Sequence, residues 1–152
     1  MDIRRITEVG VAVRDLEQAT ALMVNLLGAT AGEVTEVAQY GMRYRMCRVG
    51  KVDFELMEPT GDTGVIADFL RKRGEGLHHV AFAVDDIDDT LQTLQGKGVH
   101  FVAGAPGTLT LPFVDFAGRA FREDVRFAFS HPASILGILF EFIQYPKEYQ
   151  AP

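Results

Sequence analysis

Four side chains that could do chemistry recur in pairs along this sequence. Glu8 opens the apolar run Val9-Gly10-Val11-Ala12-Val13, and His79 opens a second run, Val80-Ala81-Phe82-Ala83-Val84. Glu55 interrupts Asp53-Phe54-Glu55-Leu56-Met57, and Glu141 interrupts Leu139-Phe140-Glu141-Phe142-Ile143. A carboxylate on a buried sheet face costs several kcal/mol unless it is paired or bound to a metal. Two such costs at matching positions point to one shared cavity. Crowding of carboxylates also raises the pKa of one of them toward the range that proton transfer needs. The competing reading makes each glutamate an ordinary strand residue facing solvent.

The elements that must position these residues read as one small module written twice. Val9-Gly10-Val11-Ala12-Val13-Arg14-Asp15-Leu16-Glu17 aligns with Val80-Ala81-Phe82-Ala83-Val84-Asp85-Asp86-Ile87-Asp88. Each copy reads as a buried strand followed by an aspartate placed to cap a helix. Leu16, Ala19, Met23, Leu26 and Leu27 follow at helical spacing, and Gly28 ends that helix. Ile87, Thr90, Leu91 and Leu94 follow in the second copy, which ends at Gly96 or Gly98. Tyr44 to Cys47 and Val52 to Met57 flank a turn at Val49-Gly50-Lys51, while Val125 to Phe129 and Ile138 to Ile143 flank a loop through His131-Pro132. The spacing predicts a linker helix over Val65–Arg73, closed by Gly74. The order is βαβββ, linker helix, βαβββ. Module one spans about 4–60, the linker about 63–74 and module two about 76–146, within a single domain over 1–152. Superposing the copies sets Glu8 on His79 and Glu55 on Glu141. Thr108 to Asp124 is longer than a hairpin needs and reads as a pocket lid.

Composition narrows the classes. With 47% hydrophobic residues the chain can build a sizeable core, and it has no run of eighteen apolar residues, so no membrane span is expected. Met1-Asp2-Ile3-Arg4-Arg5 has no apolar signal core, and the lone Cys47 excludes an internal disulfide. Both point to the cytoplasm. A net charge of −6 argues against nucleic acid as a partner, but not against a small anionic ligand held by local arginines.

Three segments carry a family resemblance: Glu8-Val-Gly-Val-Ala-Val; Gly74-Glu-Gly-Leu-His-His-Val-Ala-Phe-Ala-Val-Asp-Asp-Ile; and His131-Pro-Ala-Ser with Gly137-Ile-Leu-Phe-Glu. Together they resemble the vicinal oxygen chelate superfamily of glyoxalases, bleomycin-binding proteins and extradiol dioxygenases. Ile66-Ala-Asp-Phe-Leu-Arg-Lys-Arg-Gly-Glu-Gly-Leu-His-His makes the methylmalonyl-CoA epimerase family its nearest likeness. The likeness runs from Ile6 to about Pro146 and is weakest between His100 and Asp124. It implies an α+β fold of two tandem βαβββ modules, forming a curved mixed sheet around a central cavity that holds a divalent metal. Carried across residue by residue, the metal ligands are Glu8, Glu55, His79 and Glu141. The chain departs from the epimerase pattern at Glu8, where that family has histidine. It departs again at Ala133, where a lysine usually follows the His-Pro pair, and Ile135 and Leu136 make that loop more apolar.

Three carboxylates and one imidazole form a hard, oxygen-rich set, which suits magnesium or manganese, with cobalt, iron or zinc as the other divalent candidates. Glu55 and Glu141, flanking a substrate carbon, are the catalytic candidates for removing a proton from one face and returning one to the other. The expected enzyme is a metal-dependent epimerase or isomerase acting next to a carbonyl. Its partners are a small-molecule substrate, such as an acyl-CoA, and a second copy in a homodimer. A glyoxalase-type lyase and a non-catalytic small-molecule-binding protein stay open. An iron dioxygenase ranks last, because only His79 of its two-histidine set is placed here. His78, His100 and His131 read as surface or turn residues. Arg43, Arg45, Arg48, Arg119, Arg122 and Arg126 read as solvated side chains, or else as receptors for a carboxylate or phosphate. Tyr44 reads equally as a core aromatic and as a hydroxyl donor to the pocket.

Overall fold

The computed structural model describes residues 1–102 and 108–152. Residues 103–107 fall in the stretch of weakest resemblance and lie outside the described residues. The described elements are β1 (Ile3–Ala12), α1 (Leu16–Leu27), β2 (Thr30–Val37), β3 (Met42–Val49), β4 (Val52–Pro59) and α2 (Val65–Arg73), followed by β5 (Gly76–Val84), α3 (Ile87–Gly96), β6 (Leu109–Val114), β7 (Ala120–Phe129) and β8 (Phe140–Gln144). The fold is α+β, and the expected βαβββ order occurs twice. One mixed sheet of eight strands runs β2-β3-β4-β1-β5-β8-β7-β6. Its two halves repeat the same pairings: β1 with β4 and β5 with β8 are parallel, and the remaining pairs inside each half are antiparallel.

The helices begin and end where their sequences direct. Asp15 accepts a hydrogen bond from Gln18 N at 3.0 Å, and Asp86 accepts one from Asp89 N at 3.0 Å. Each cap satisfies a donor that the first helical turn leaves over. The closing strand of each module adds a second cap: Leu16 N donates to Glu58, and Ile87 N donates to Gln144 at 2.9 Å. Glu58 and Gln144 each stand three residues after the strand glutamate, Glu55 or Glu141, so the two modules share this capping device. Gly28 closes α1 at φ +64°, a left-handed position that a side chain would strain.

By compactness the chain forms two units, and they differ from the modules read in the sequence. One unit contains Glu8–His78 with Phe116–Gly118; the other contains Met1–Thr7, His79–Asp115 and Arg119–Pro152. In the first, α1 covers one sheet face through Val13, Leu16, Ala29, Cys47 and Leu56, and α2 packs Ile66 and Leu70 on Ala12 and Met57. In the second, α3 packs Ile87 and Leu91 on Val84, Ala128 and Phe142. Apolar side chains thus fill the positions that α1 and α3 cover, and alternation turns the residues between them to the other face, where α2 covers Ala12 and Met57.

The stretch expected as a lid is instead β6 and the first half of β7, an antiparallel pair with its register broken between Pro112 and Val114. Pro112 and the charged run Arg122–Asp124 hide the strand alternation. Pro112 is tolerated because β6 is an edge strand.

Candidate metal centre

Glu8 and Glu55 come from neighbouring parallel strands of the first unit. Register pairs Gly10 with Glu55, so Glu8 stands two residues upstream of Glu55's partner on the same face. The second unit repeats this arrangement. Ala81 pairs with Glu141, and His79 stands two residues upstream. The positions beside both glutamates are small, Gly10 and Ala81, which leaves room over the strand for the carboxylates. All four residues are buried, with exposures of 8% for Glu8, 8% for Glu55, 3% for His79 and 7% for Glu141. Within the second unit, His79 Nε2 lies 3.0 Å from Glu141 Oε2, and the Phe129 ring stands edge-on to the imidazole at a centroid distance of 5.5 Å.

One ligand atom from each of Glu8, Glu55, His79 and Glu141 lies within 4.8 Å of each of the others. Four points so close have a common centre within about 2.9 Å of every one of them. A divalent cation with oxygen bonds of about 2.1–2.5 Å needs little further contraction. Adjacent ligands of an octahedral ion with bonds near 2.1 Å stand about 3.0 Å apart, which is the His79–Glu141 separation. The donor set and its spacing therefore fit a metal, and this buried group of glutamates and a histidine could hold one.

Tyr44 lies on the same face of β3, paired with Met57 of β4 and Thr35 of β2. Its ring packs with the Ala12–Met57–Ile66–Leu70 cluster under α2. Burial, and then the negative charge of Glu55, push its phenol above the usual tyrosine range; Glu8 adds to this, and a hydrogen bond with Thr35 opposes it. Tyr44 is the core aromatic of the two sequence readings, and its hydroxyl, bonded to Thr35, feels the charge of the carboxylates.

The remaining candidates have structural work. The His78 ring packs on Phe69 of α2 at 5.0 Å. His131 Nδ1 accepts the Ala133 N–H at 3.2 Å, closing the turn after β7, and His100 is exposed, its carbonyl accepting from His131 N. Arg43 binds Glu58, Arg45 binds Glu17 and Thr20, and Arg126 binds Asp88. Arg119 binds Asp115 and covers the Phe121 ring. Glu75, in the most specific stretch of the resemblance, accepts from Arg14 N at 2.7 Å. That run therefore carries a joint as well as a ligand. Sequence reading missed the pair Arg48–Asp53, whose signal was available: both residues flank the two-residue turn Gly50-Lys51, and hairpin register makes them direct partners.

The chain belongs to the glyoxalase/bleomycin resistance protein/dioxygenase superfamily, whose family model matches residues 7–110. It is 35% identical over 103 residues to the mitochondrial methylmalonyl-CoA epimerase of Bos taurus, covering 67% of this chain and 59% of that protein. The chain thus spans about three fifths of the length of that relative. Over 106 residues it is 33% identical to the ethylmalonyl-CoA/methylmalonyl-CoA epimerase of Cereibacter sphaeroides, covering 68% of this chain and 79% of that protein. The crystal structure of methylmalonyl-CoA epimerase from Mycobacterium tuberculosis superposes with a TM-score of 0.78 at 28% identity, covering 95% of this chain and 91% of that one.

Proposed function

We propose that this chain is a metal-dependent epimerase that exchanges the proton on a carbon next to a carbonyl, with an acyl thioester such as a malonyl-type acyl-CoA as substrate. The convergence of Glu8, Glu55, His79 and Glu141 within 4.8 Å carries the reading, and the named relatives support it. Glu8, Glu55, His79 and Glu141 would hold the ion, and their hard donor set favours magnesium or manganese over a thiolate-type metal. When bound, the ion supplies positive charge beside the carbonyl oxygen.

The proton is the carboxylates' task. Each has two oxygens, so one can serve as a ligand while the other faces the substrate. Glu141 or Glu55 takes the α-proton from one face. The C–H electron pair moves to the carbonyl oxygen, giving an enolate. The glutamate on the opposite face then returns a proton as the pair moves back to carbon. Nothing is oxidised, and each cycle exchanges the roles of acid and base. Burial of both glutamates excludes bulk water and strengthens their field on the reacting carbon. We read the whole chain as one domain working as a cytoplasmic homodimer.

The test is incubation of metal-loaded protein with a 2-methylmalonyl thioester in deuterated water, following the α-proton by NMR. Exchange should exceed that of a metal-only control. In Glu141→Gln it should fall by ~10²-fold or more, as loss of a general base predicts; metal content is measured in parallel, because Glu141 has both roles. If neither malonyl-type thioesters nor simpler 2-substituted carbonyl compounds exchange, the protein is a ligand-binding member of its superfamily.

A further inference from the structure

The first unit carries a row of charged side chains that the metal centre and the core leave unexplained. Register sets Arg48 of β3 beside Asp53 of β4, and Asp53 beside Glu8 of β1. Paired residues on neighbouring strands share a face. The order across the sheet is therefore guanidinium, carboxylate, carboxylate, and the next row is Met46, Glu55 and Gly10. Alternation sends Arg43 and Arg45 to the opposite face, where they meet Glu58 and α1. Arg48 is thus the cation that β3 turns toward Glu8 and Glu55.

Its guanidinium is held on edge and plane. Nε and Nη2 donate to the two Asp53 oxygens at 2.8 and 3.0 Å, and the Phe116 ring lies over Cζ at 4.2 Å. Phe116 is itself seated against Gly32, where a Cβ would come within 3.0 Å of the ring and of the Phe116 carbonyl. Neither Arg48 nor Asp53 is well exposed, at 23% and 14%. A solvated surface pair does not receive an aromatic cover and a glycine seat.

We propose that Arg48 is a specificity-determining residue, which takes up a free carboxylate on the substrate in competition with Asp53. This deepens the epimerase reading and rests on it for the substrate class. Glu8, Glu55 and Asp53 crowd three carboxylates on this face of the first unit beside the one guanidinium of Arg48. An anionic acyl group approaching this surface is repelled unless a cation takes its charge. Arg48 supplies the flat two-donor fork that matches a carboxylate, and its fixed orientation means little freedom is lost on binding. The favoured substrates are therefore acyl compounds bearing a second, ionised carboxyl group.

The test compares equilibrium binding of a methylmalonyl thioester and the matching propionyl thioester to magnesium- or manganese-loaded protein. Wild type should prefer the carboxylated compound by about 10- to 100-fold, the worth of a charged hydrogen-bonded pair. Arg48→Gln should lose that preference and leave propionyl binding unchanged; Arg48→Lys should restore part of it. The double variant Arg48→Gln with Asp53→Asn removes the unpaired Asp53 and should behave as Arg48→Gln does, with an unchanged melting temperature. A preference that persists in Arg48→Gln, or its absence in wild type, overturns the proposal. Preferential binding without α-proton exchange would instead overturn the epimerase reading and leave the Arg48 assignment standing.

Discussion

The ring and the hydroxyl of Tyr44 have different partners, and that makes it a reporter on the carboxylates. The ring is core under α2, while the hydroxyl bonds Thr35 within the field of Glu55. Both burial and Glu55 favour the neutral phenol. In folded protein the Tyr44 phenol should stay protonated through the range near pH 10 where free tyrosine ionises. Because the folded-state pKa lies above the unfolded one, this contribution to stability is full below about pH 10 and is lost as pH rises toward the folded value. Titration of tyrosinate absorbance checks this, with Glu55→Gln moving the late step down. All four tyrosines ionising together near pH 10 in folded protein would show that Tyr44 does not feel the glutamates. At this scale the sequence was informative where the repeat supplied a partner for each residue, as for Glu8 with His79 and Glu55 with Glu141. Tyr44 has Phe127 in its place in the second copy, and Asp53 has Leu139, so the repeat supplied neither a second phenol nor a second arginine–aspartate pair, and pairing could not single out Tyr44 or Arg48.

Among the elements, the helices were legible nearly to the residue, because their start and stop signals are local. Asp15 and Gly28 bound α1, and Gly74 follows α2 directly. The edge strands were not legible. Most β2 positions are exposed, and Gly32 and Glu33 interrupt its pattern; β6 is broken by Pro112. An edge strand buries too little on either face to impose apolar alternation, which is the signal a sequence displays. The same property argues for self-association. β2 and β6 are the edge strands of the sheet, and exposed Leu22, Val24, Leu26 and Leu27 line α1 next to β2. Proteins cover such edges and apolar faces or blunt them with charge. Sedimentation at micromolar concentration should therefore show a dimer of this chain. A strict monomer across that range would overturn the homodimer reading, and Leu26→Lys would then leave the sedimentation profile unchanged.

For the molecule as a whole, function and stability meet in the buried charges. Without an ion, three glutamates and a histidine crowd together at low exposure, a costly arrangement in a folded chain that already carries a net charge of −6. A bound divalent cation relieves that cost only in the folded state, because the four ligands lie in distant parts of the unfolded sequence. Binding to the folded form alone stabilises by about 2.7 kcal/mol when the free ion is a hundredfold above its dissociation constant. For a chain of 152 residues, at about 2–4 °C per kcal/mol, that raises the melting temperature by roughly 5–10 °C. Thermal unfolding with magnesium, manganese, cobalt and zinc should show this rise, largest at equal concentration for the ion the site prefers, and a chelator should reverse it. His79→Ala should lose most of the response, since it removes the one nitrogen donor. Glu8→His, which restores the residue type of the resembled family, should keep the response and shift the preference from magnesium toward cobalt and zinc, because imidazole suits the softer ions. If no divalent cation moves the melting temperature of wild type, or if His79→Ala responds as wild type does, the four residues do not form a metal site, and proton chemistry would have to proceed on the carboxylates alone.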